Sequence, residues 1–93
     1  MDLFICNQGE NRSKTAAEIL GGNYAGIYSE NNPVTKEKLV EAETIFVFED
    51  EQRKWMGKNF PEEYLKKRII NLDIPDTYYY QQKELVRLLK KLK

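Results

Sequence analysis

Strand-like and helix-like segments alternate along this chain, and their order constrains the fold more than any other feature. Apolar or β-branched runs predict strands at residues 3–5, 25–28, 44–48 and 68–74, and helical spacing predicts helices at 13–20, 35–41, 51–57, 61–67 and 81–93. A strand, a helix and a second strand in this order form a right-handed crossover between parallel strands. The sequence therefore predicts an α/β fold, a three-layer domain with a four-stranded parallel sheet.

Length and charge limit what the chain can do. With 93 residues it has room for one modest core, so we expect a single domain over residues 1–93. Lys plus Arg and Asp plus Glu number 15 each, which balances the charge and predicts no nucleic acid and no membrane partner. The apolar run near the N-terminus is too short for a signal peptide or a membrane span, so the expected location is cytoplasmic.

The chain has no histidine and a single cysteine. Without histidine, Cys-His and Ser-His catalysis and zinc sites that need imidazole are excluded. A lone cysteine is either a small buried apolar residue or a reactive thiol. We therefore expect no metal and no other cofactor, and only Asp, Glu, Lys or Tyr could transfer protons.

Residues 6–13, Cys-Asn-Gln-Gly-Glu-Asn-Arg-Ser, run from a predicted strand directly into a predicted helix. Such a loop can direct backbone N–H groups and the helix dipole at a phosphate. Arg12, six positions after Cys6, could grip two phosphate oxygens, and Ser13 could hydrogen-bond the Cys6 sulfur. The same donors favour a thiolate. The alternative is that Cys6 only ends a buried strand and Arg12 is a solvated charge.

With these residues in view, the sequence resembles the low-molecular-weight protein tyrosine phosphatase family, especially its short prokaryotic members. The likeness includes the Cys-x5-Arg-Ser loop and Ala16-Ala17-Glu18 after it. It continues through Pro33-Val34-Thr35, Ile45 to Glu49, and Asp76-Thr77-Tyr78-Tyr79, which is similar to the family's acid segment. The resemblance thus covers nearly the whole chain and implies that family's flavodoxin-like topology.

The resemblance implies a role for each matching residue. Cys6 would be the nucleophile, Arg12 the phosphate clamp, Ser13 the thiolate partner and Asp76 the general acid. Asp73 competes with Asp76, since it also lies near the end of the last predicted strand, and either could be an ordinary turn residue. Substrate-binding residues would be Asn7, Gln8, Gly9, Glu10, Asn11, Tyr78 and Tyr79, with Tyr28, Asn31 and Asn32 as weaker candidates for the opposite wall.

Four residues depart from the family pattern. Gly9 replaces an Asn, which keeps the loop shape if that position is left-handed but loses a side-chain tether. Lys14 and Thr77 each replace a Pro. Glu10 would repel a phosphate dianion, so its side chain must point away from the site if the site is active.

The expected function is hydrolysis of phosphomonoesters, by a cysteine-dependent protein tyrosine phosphatase that forms a phosphocysteine intermediate. Its partners would be a phosphorylated protein or a small aryl phosphate, and the chain would be a monomer or a weak dimer. The main alternative is a catalytically weak module that binds phosphate or phosphopeptide, supported by the missing loop Asn and by Glu10. An arsenate reductase is disfavoured because its relay needs further cysteines.

Overall fold

Four parallel strands form one sheet in the order β2-β1-β3-β4 in the computed structural model, which describes residues 1–92. This confirms the predicted α/β class and the parallel four-stranded sheet. In chain order the elements are β1 (Leu3–Cys6), α1 (Arg12–Leu20), β2 (Asn23–Gly26), α2 (Lys36–Glu41), β3 (Thr44–Val47), α3 (Asp50–Asn59), α4 (Pro61–Lys66), β4 (Arg68–Asn71) and α5 (Lys83–Lys90).

The central strand β1 is buried along its whole length because helices cover both faces of the sheet. Successive side chains alternate between the faces, which divides the core into two clusters. Leu3 and Ile5 pack in the cluster that includes Leu39 of α2 and Met56 of α3. On the opposite face, α1 and α5 contact each other over a cluster that contains Phe4, Cys6, Ala16, Leu85 and Leu89.

All four strands end at residues other than those predicted, β1 and β3 by a single residue and β2 and β4 by two or three. Strand β2 is Asn23–Gly26, because the chain turns at Gly26, whose N–H donates to the Asn32 carbonyl at 3.0 Å. Strand β4 stops at Asn71, two residues before Asp73, whose φ of 57° interrupts extended backbone.

The predicted helices are present with shifted ends. Helix α5 is Lys83–Lys90, since Gln81 just before it has a φ of 60°. The last residue of the predicted helix, Lys93, lies outside the described residues. Within residues 1–92, none of the helices combines the length and the apolarity that crossing a membrane would require.

Helix α1 begins without a side-chain cap in the described part of the chain. Asn11 is the N-cap residue, but its side chain accepts no hydrogen bond from the first-turn N–H groups of the helix. Thr15 lies inside the helix and its hydroxyl donates back to the Asn11 carbonyl at 2.7 Å. The first N–H groups of α1 therefore have no side-chain partner.

Candidate active site

The loop between β1 and α1, residues 7–11, packs directly against the end of β2, with backbone touching backbone and no room for a side chain between them. Gly9 has a φ of 71°, and a Cβ atom built on it would lie 2.7 Å from the Gly26 nitrogen. A Cβ on Gly26 would lie 2.4 Å from the Gln8 carbonyl carbon. Neither glycine can carry a side chain without moving the backbone, so this pair fixes the loop shape. The left-handed position that the sequence suggested for Gly9 is present.

Cys6 ends β1 with its side chain buried beneath the loop. Its Sγ lies 3.0 Å from the Ser13 Oγ and accepts the Gly9 N–H at 3.2 Å. A hydroxyl and a backbone N–H thus both lie within hydrogen-bond distance of the sulfur. The predicted contact between Cys6 and Ser13 is therefore observed.

Arg12, the first residue of α1, is 1% exposed and so is not a solvated surface charge. Its Nη1 donates to Glu49 Oε1 and to the Ile74 carbonyl, both at 2.7 Å. Its Nη2 is buried, has no hydrogen-bond partner in the described chain, and lies 3.6 Å from Asp76 Oδ1. One nitrogen thus holds the guanidinium in place while a second retains donors for a ligand.

Gln52, which is fully buried, joins α3 to this loop. Its Nε2 donates to Asn7 Oδ1 at 2.7 Å, while its Oε1 accepts the N–H groups of Phe48 and Glu49 at 3.1 and 2.6 Å. Neither Gln52 nor the pairing of Glu49 with Arg12 was expected from the sequence. The spacing of Glu49 and Gln52 is that of a capping box at the start of α3, which marks both as cap residues but not as partners of Asn7 and Arg12.

Asp76 and Asp73 differ in their surroundings, although both are exposed. Asp76 is 52% exposed and faces Arg12. Asp73 makes no side-chain hydrogen bond or ion pair within residues 1–92. Its backbone N–H donates to Asn71 Oδ1 at 2.9 Å. Only Asp76 is therefore brought to the loop that holds Cys6.

The structure brings some of the other predicted residues to the site and leaves others in solvent. Tyr78 is half-buried and packs against the core cluster that contains Cys6. Tyr79 is 77% exposed. Gln8 and Glu10 are also exposed, as an active site would require of Glu10.

Tyr28, Asn31 and Asn32 were the weaker candidates for the pocket wall opposite Tyr78 and Tyr79. The Tyr28 hydroxyl donates to Glu51 at 2.8 Å. This hydrogen bond raises the pKa of Tyr28. Asn32 points its amide at the Tyr24 carbonyl at 2.7 Å and supports the turn after β2. Asn31 makes no side-chain hydrogen bond within the described part of the chain.

Comparison with known structures identifies the fold. An arginine phosphatase, YwlE from Geobacillus stearothermophilus, aligns with a TM-score of 0.75 and 20% identity, over 98% of this chain and 88% of that one. This chain has the fold of a small phosphatase. Wzb from Vibrio vulnificus, in complex with benzylphosphonate, aligns at 0.73 and 16% identity over 96% and 88% of the two chains. The tyrosine phosphatase Wzb from Escherichia coli K30, in complex with phosphate, aligns at 0.69 and 15% identity over 97% and 90%.

Sequence comparison alone finds no such relation. No protein-family model matches the chain, and no curated protein matches it significantly. The phosphatase fold predicted from the motif is nevertheless confirmed by the structural alignments. At these identities the alignments establish the fold, and the chemistry has to be argued from the side chains.

Proposed function

We propose that this chain is a cysteine-dependent phosphomonoester hydrolase of the low-molecular-weight protein tyrosine phosphatase family. The observation that carries the proposal is Arg12, a buried cation whose Nη2 has no hydrogen-bond partner within residues 1–92, at the opposite end of the β1–α1 loop from the hydrogen-bonded sulfur of Cys6. A buried cation without a full set of acceptors is costly unless a ligand completes it. Phosphate oxygens are suitable acceptors, because the guanidinium presents several donors in one plane.

The reaction would proceed in two balanced steps. In the first, the Cys6 thiolate attacks phosphorus, a sulfur–phosphorus bond forms, the bond to the leaving oxygen breaks, and Asp76 gives its proton to that oxygen. In the second, water attacks the phosphocysteine and transfers a proton to the Asp76 carboxylate. The sulfur–phosphorus bond then breaks, releasing phosphate and the thiolate. Backbone N–H groups of residues 7–11 and Arg12 would stabilise the charge on the phosphoryl oxygens.

Asp76 is our choice as the general acid. It faces Arg12 across 3.6 Å and remains half exposed, so a leaving group could reach it from solvent. The Asp73 side chain makes no hydrogen bond or ion pair within residues 1–92, and its backbone N–H donates to Asn71. The Asp76 position also matches the acid segment of the family that the sequence resembles.

Phosphotyrosine is the proposed substrate class. The half-buried ring of Tyr78 lies on the cluster that contains Cys6 and could stack on an aromatic leaving group. A tyrosine phosphatase and a benzylphosphonate complex are among the proteins with this fold. We also propose a cytoplasmic location, because a catalytic thiolate has to remain reduced.

Phosphoarginine is a second candidate, supported by one observation. The side chains of Glu49 and Asp76 both face Arg12, and Glu10 adds an exposed carboxylate within the loop. A guanidinium next to the phosphoryl group could pair with such carboxylates, whereas a tyrosine ring could not. One of the structures with this fold is an arginine phosphatase.

The test is steady-state hydrolysis of p-nitrophenyl phosphate by the wild type and by Cys6→Ser. We expect activity only in the wild type, and a phosphocysteine trapped by rapid acid quench. Phosphate binding without turnover would instead favour the alternative of a binding module. Comparing kcat/KM for matched phosphotyrosine and phosphoarginine peptides then separates the two substrate classes.

A further inference from the structure

The segment that bears Asp76 is attached to helix α1 and to its N-cap Asn11 through Tyr80 and Gln81, which follow the acid segment in the sequence. The Tyr80 N–H donates to Asn11 Oδ1 at 3.2 Å, and the Gln81 N–H donates to the Thr15 hydroxyl at 3.0 Å. The Tyr80 hydroxyl donates to Glu18 Oε1 at 2.5 Å, and Gln81 Nε2 reaches the same oxygen at 2.8 Å. Four hydrogen bonds thus join two parts of the chain that are far apart in sequence.

Charge reinforces this attachment. The Lys14 ammonium lies 4.7 Å from the centre of the Tyr80 ring, a cation–π distance. The hydrogen bond between Glu18 and Tyr80 lowers the pKa of the Glu18 carboxyl and raises the pKa of the Tyr80 hydroxyl. The phenol and the carboxylate therefore hold their proton arrangement across neutral pH.

The loop between β4 and α5, residues 72–82, is hydrogen-bonded to the rest of the protein mainly near its two ends. At its start, Ile74 is buried, and its N–H donates to the Phe48 carbonyl at 2.8 Å while its carbonyl accepts Arg12. At its other end, Tyr80 and Gln81 bind α1. Asp76 lies between these attachments, and within residues 1–92 its side chain makes only the 3.6 Å ion pair to Arg12. Its position therefore depends on both.

We infer that Tyr80 and Glu18 are positioning residues for the general acid, since their contact holds the far end of the loop that places Asp76 over the β1–α1 loop. The inference rests on the proposed function. Neither residue touches the reacting atoms. Their contact acts by limiting how far the Asp76 carboxyl group can move from the leaving oxygen.

The kinetic test compares Tyr80→Phe and Glu18→Ala with the matched control Tyr64→Phe, which removes a hydroxyl from α4 on the other face of the sheet. With phenyl phosphate, whose leaving group needs a proton, kcat/KM should fall about threefold to tenfold in Tyr80→Phe, the cost of one partly exposed hydrogen bond. It should fall at least as much in Glu18→Ala, which removes the hydrogen bonds from both Tyr80 and Gln81. With p-nitrophenyl phosphate, both variants should stay within about twofold of the wild type, because a good leaving group needs little protonation.

A second comparison asks whether the effect passes through the acid. In an Asp76→Asn background, Tyr80→Phe should cause no further loss with phenyl phosphate, since the group it positions is gone. The double variant of Tyr80 and Glu18 should equal Glu18→Ala, since that change already removes both hydrogen bonds to the carboxylate. Equal losses with both substrates, or full additivity with Asp76→Asn, would overturn the inference and leave a merely structural contact.

Hydrogen–deuterium exchange separates this inference from the proposed function. Amides of residues 76–81 should exchange about threefold to tenfold faster in Tyr80→Phe and Glu18→Ala than in Tyr64→Phe, whether or not the protein is a phosphatase. Unchanged exchange there would overturn the attachment itself. Failure of the proposed function would appear separately, as wild-type turnover no greater than that of Cys6→Ser.

Discussion

The two loops that form the site are held in different ways. The β1–α1 loop packs through the backbone of Gly9 against Gly26, and the side chain of Gln52 donates a hydrogen bond to Asn7 at its start. Cys6 and Arg12, at the two ends of this loop, are at most 3% exposed. The β4–α5 loop is exposed over most of its length and contains two left-handed residues, Asp73 and Gln81.

This difference in burial corresponds to the two roles proposed for the loops, phosphate binding and proton transfer. Binding a dianion requires fixed donors, because donors that have to reorganise stabilise charge less. An acid has to meet leaving groups of different shapes and then accept a proton from water, which a more open segment allows. The phosphate side should therefore be sensitive to small changes in geometry, and the acid side should depend on the substrate.

Arg12→Lys should produce the largest effect, because it alters the rigid loop while keeping its charge. One ammonium cannot replace two nitrogens, of which one binds Glu49 and the other would bind phosphate. We expect kcat/KM for p-nitrophenyl phosphate to fall by about 10³-fold, which is roughly 4 kcal/mol of transition-state stabilisation. Activity within about threefold of the wild type, in a folded variant, would show that Arg12 is not the clamp.

Asp76→Asn should have the next largest effect, and only with poor leaving groups. Loss of a general acid typically costs about 10²–10⁴-fold, so phenyl phosphate should be hydrolysed at least about 100-fold more slowly, while p-nitrophenyl phosphate changes far less. The measurement is kcat/KM across substituted phenyl phosphates. An unchanged dependence on the leaving group would contradict the assignment.

The sequence predicted the rigid loop much better than the open one. The β1–α1 loop is local: a strand, a Cys-x5-Arg-Ser stretch and a helix are contiguous, so its contact between Cys6 and Ser13 could be anticipated. Glu49 and Gln52 approach it from 37 and 45 residues away, and their side chains look like ordinary caps in the sequence. No short-range pattern marks such a contact.

The open loop was harder to predict because its geometry depends on tertiary contacts. Asp73 and Gln81 adopt left-handed backbone, which their residue types did not indicate, so β4 was predicted too long and α5 too early. The bonds from Tyr80 to Asn11 and Glu18 cross more than 60 residues. Asp76 was proposed as the acid from its position near the end of the last predicted strand together with its resemblance to a family segment.

Gln52→Leu should lower the stability of the whole fold by removing the hydrogen bonds that support the β1–α1 loop. The change leaves the buried N–H groups of Phe48 and Glu49 without an acceptor and Asn7 without its donor. We expect the free energy of unfolding to fall by about 3 kcal/mol, measured by urea titration. The control is Arg53→Ala on the same helix, where an exposed pair with Asp50 should be worth less than about 1 kcal/mol. Equal effects would mean that Gln52 does not support the loop.

Asp73→Gly should produce the smallest effect and sharpen the comparison within the open loop. Glycine relieves the cost of a φ of 57°, but it also makes the unfolded chain more flexible, and each contribution is about 0.5–1 kcal/mol. The free energy of unfolding should therefore change by less than about 1 kcal/mol. Only the side chain is removed, since the backbone N–H can still donate to Asn71.

The same variant tests which aspartate is the acid. If Asp73 only shapes the turn, Asp73→Gly should hydrolyse every substituted phenyl phosphate within about twofold of the wild type. A steeper dependence on the leaving group in Asp73→Gly, with none in Asp76→Asn, would exchange the two assignments. Steeper dependence in both variants would mean that the turn at Asp73 helps to set the position of Asp76. The open loop would then be more tightly specified than its exposure indicates, and the contrast with the β1–α1 loop would be correspondingly smaller.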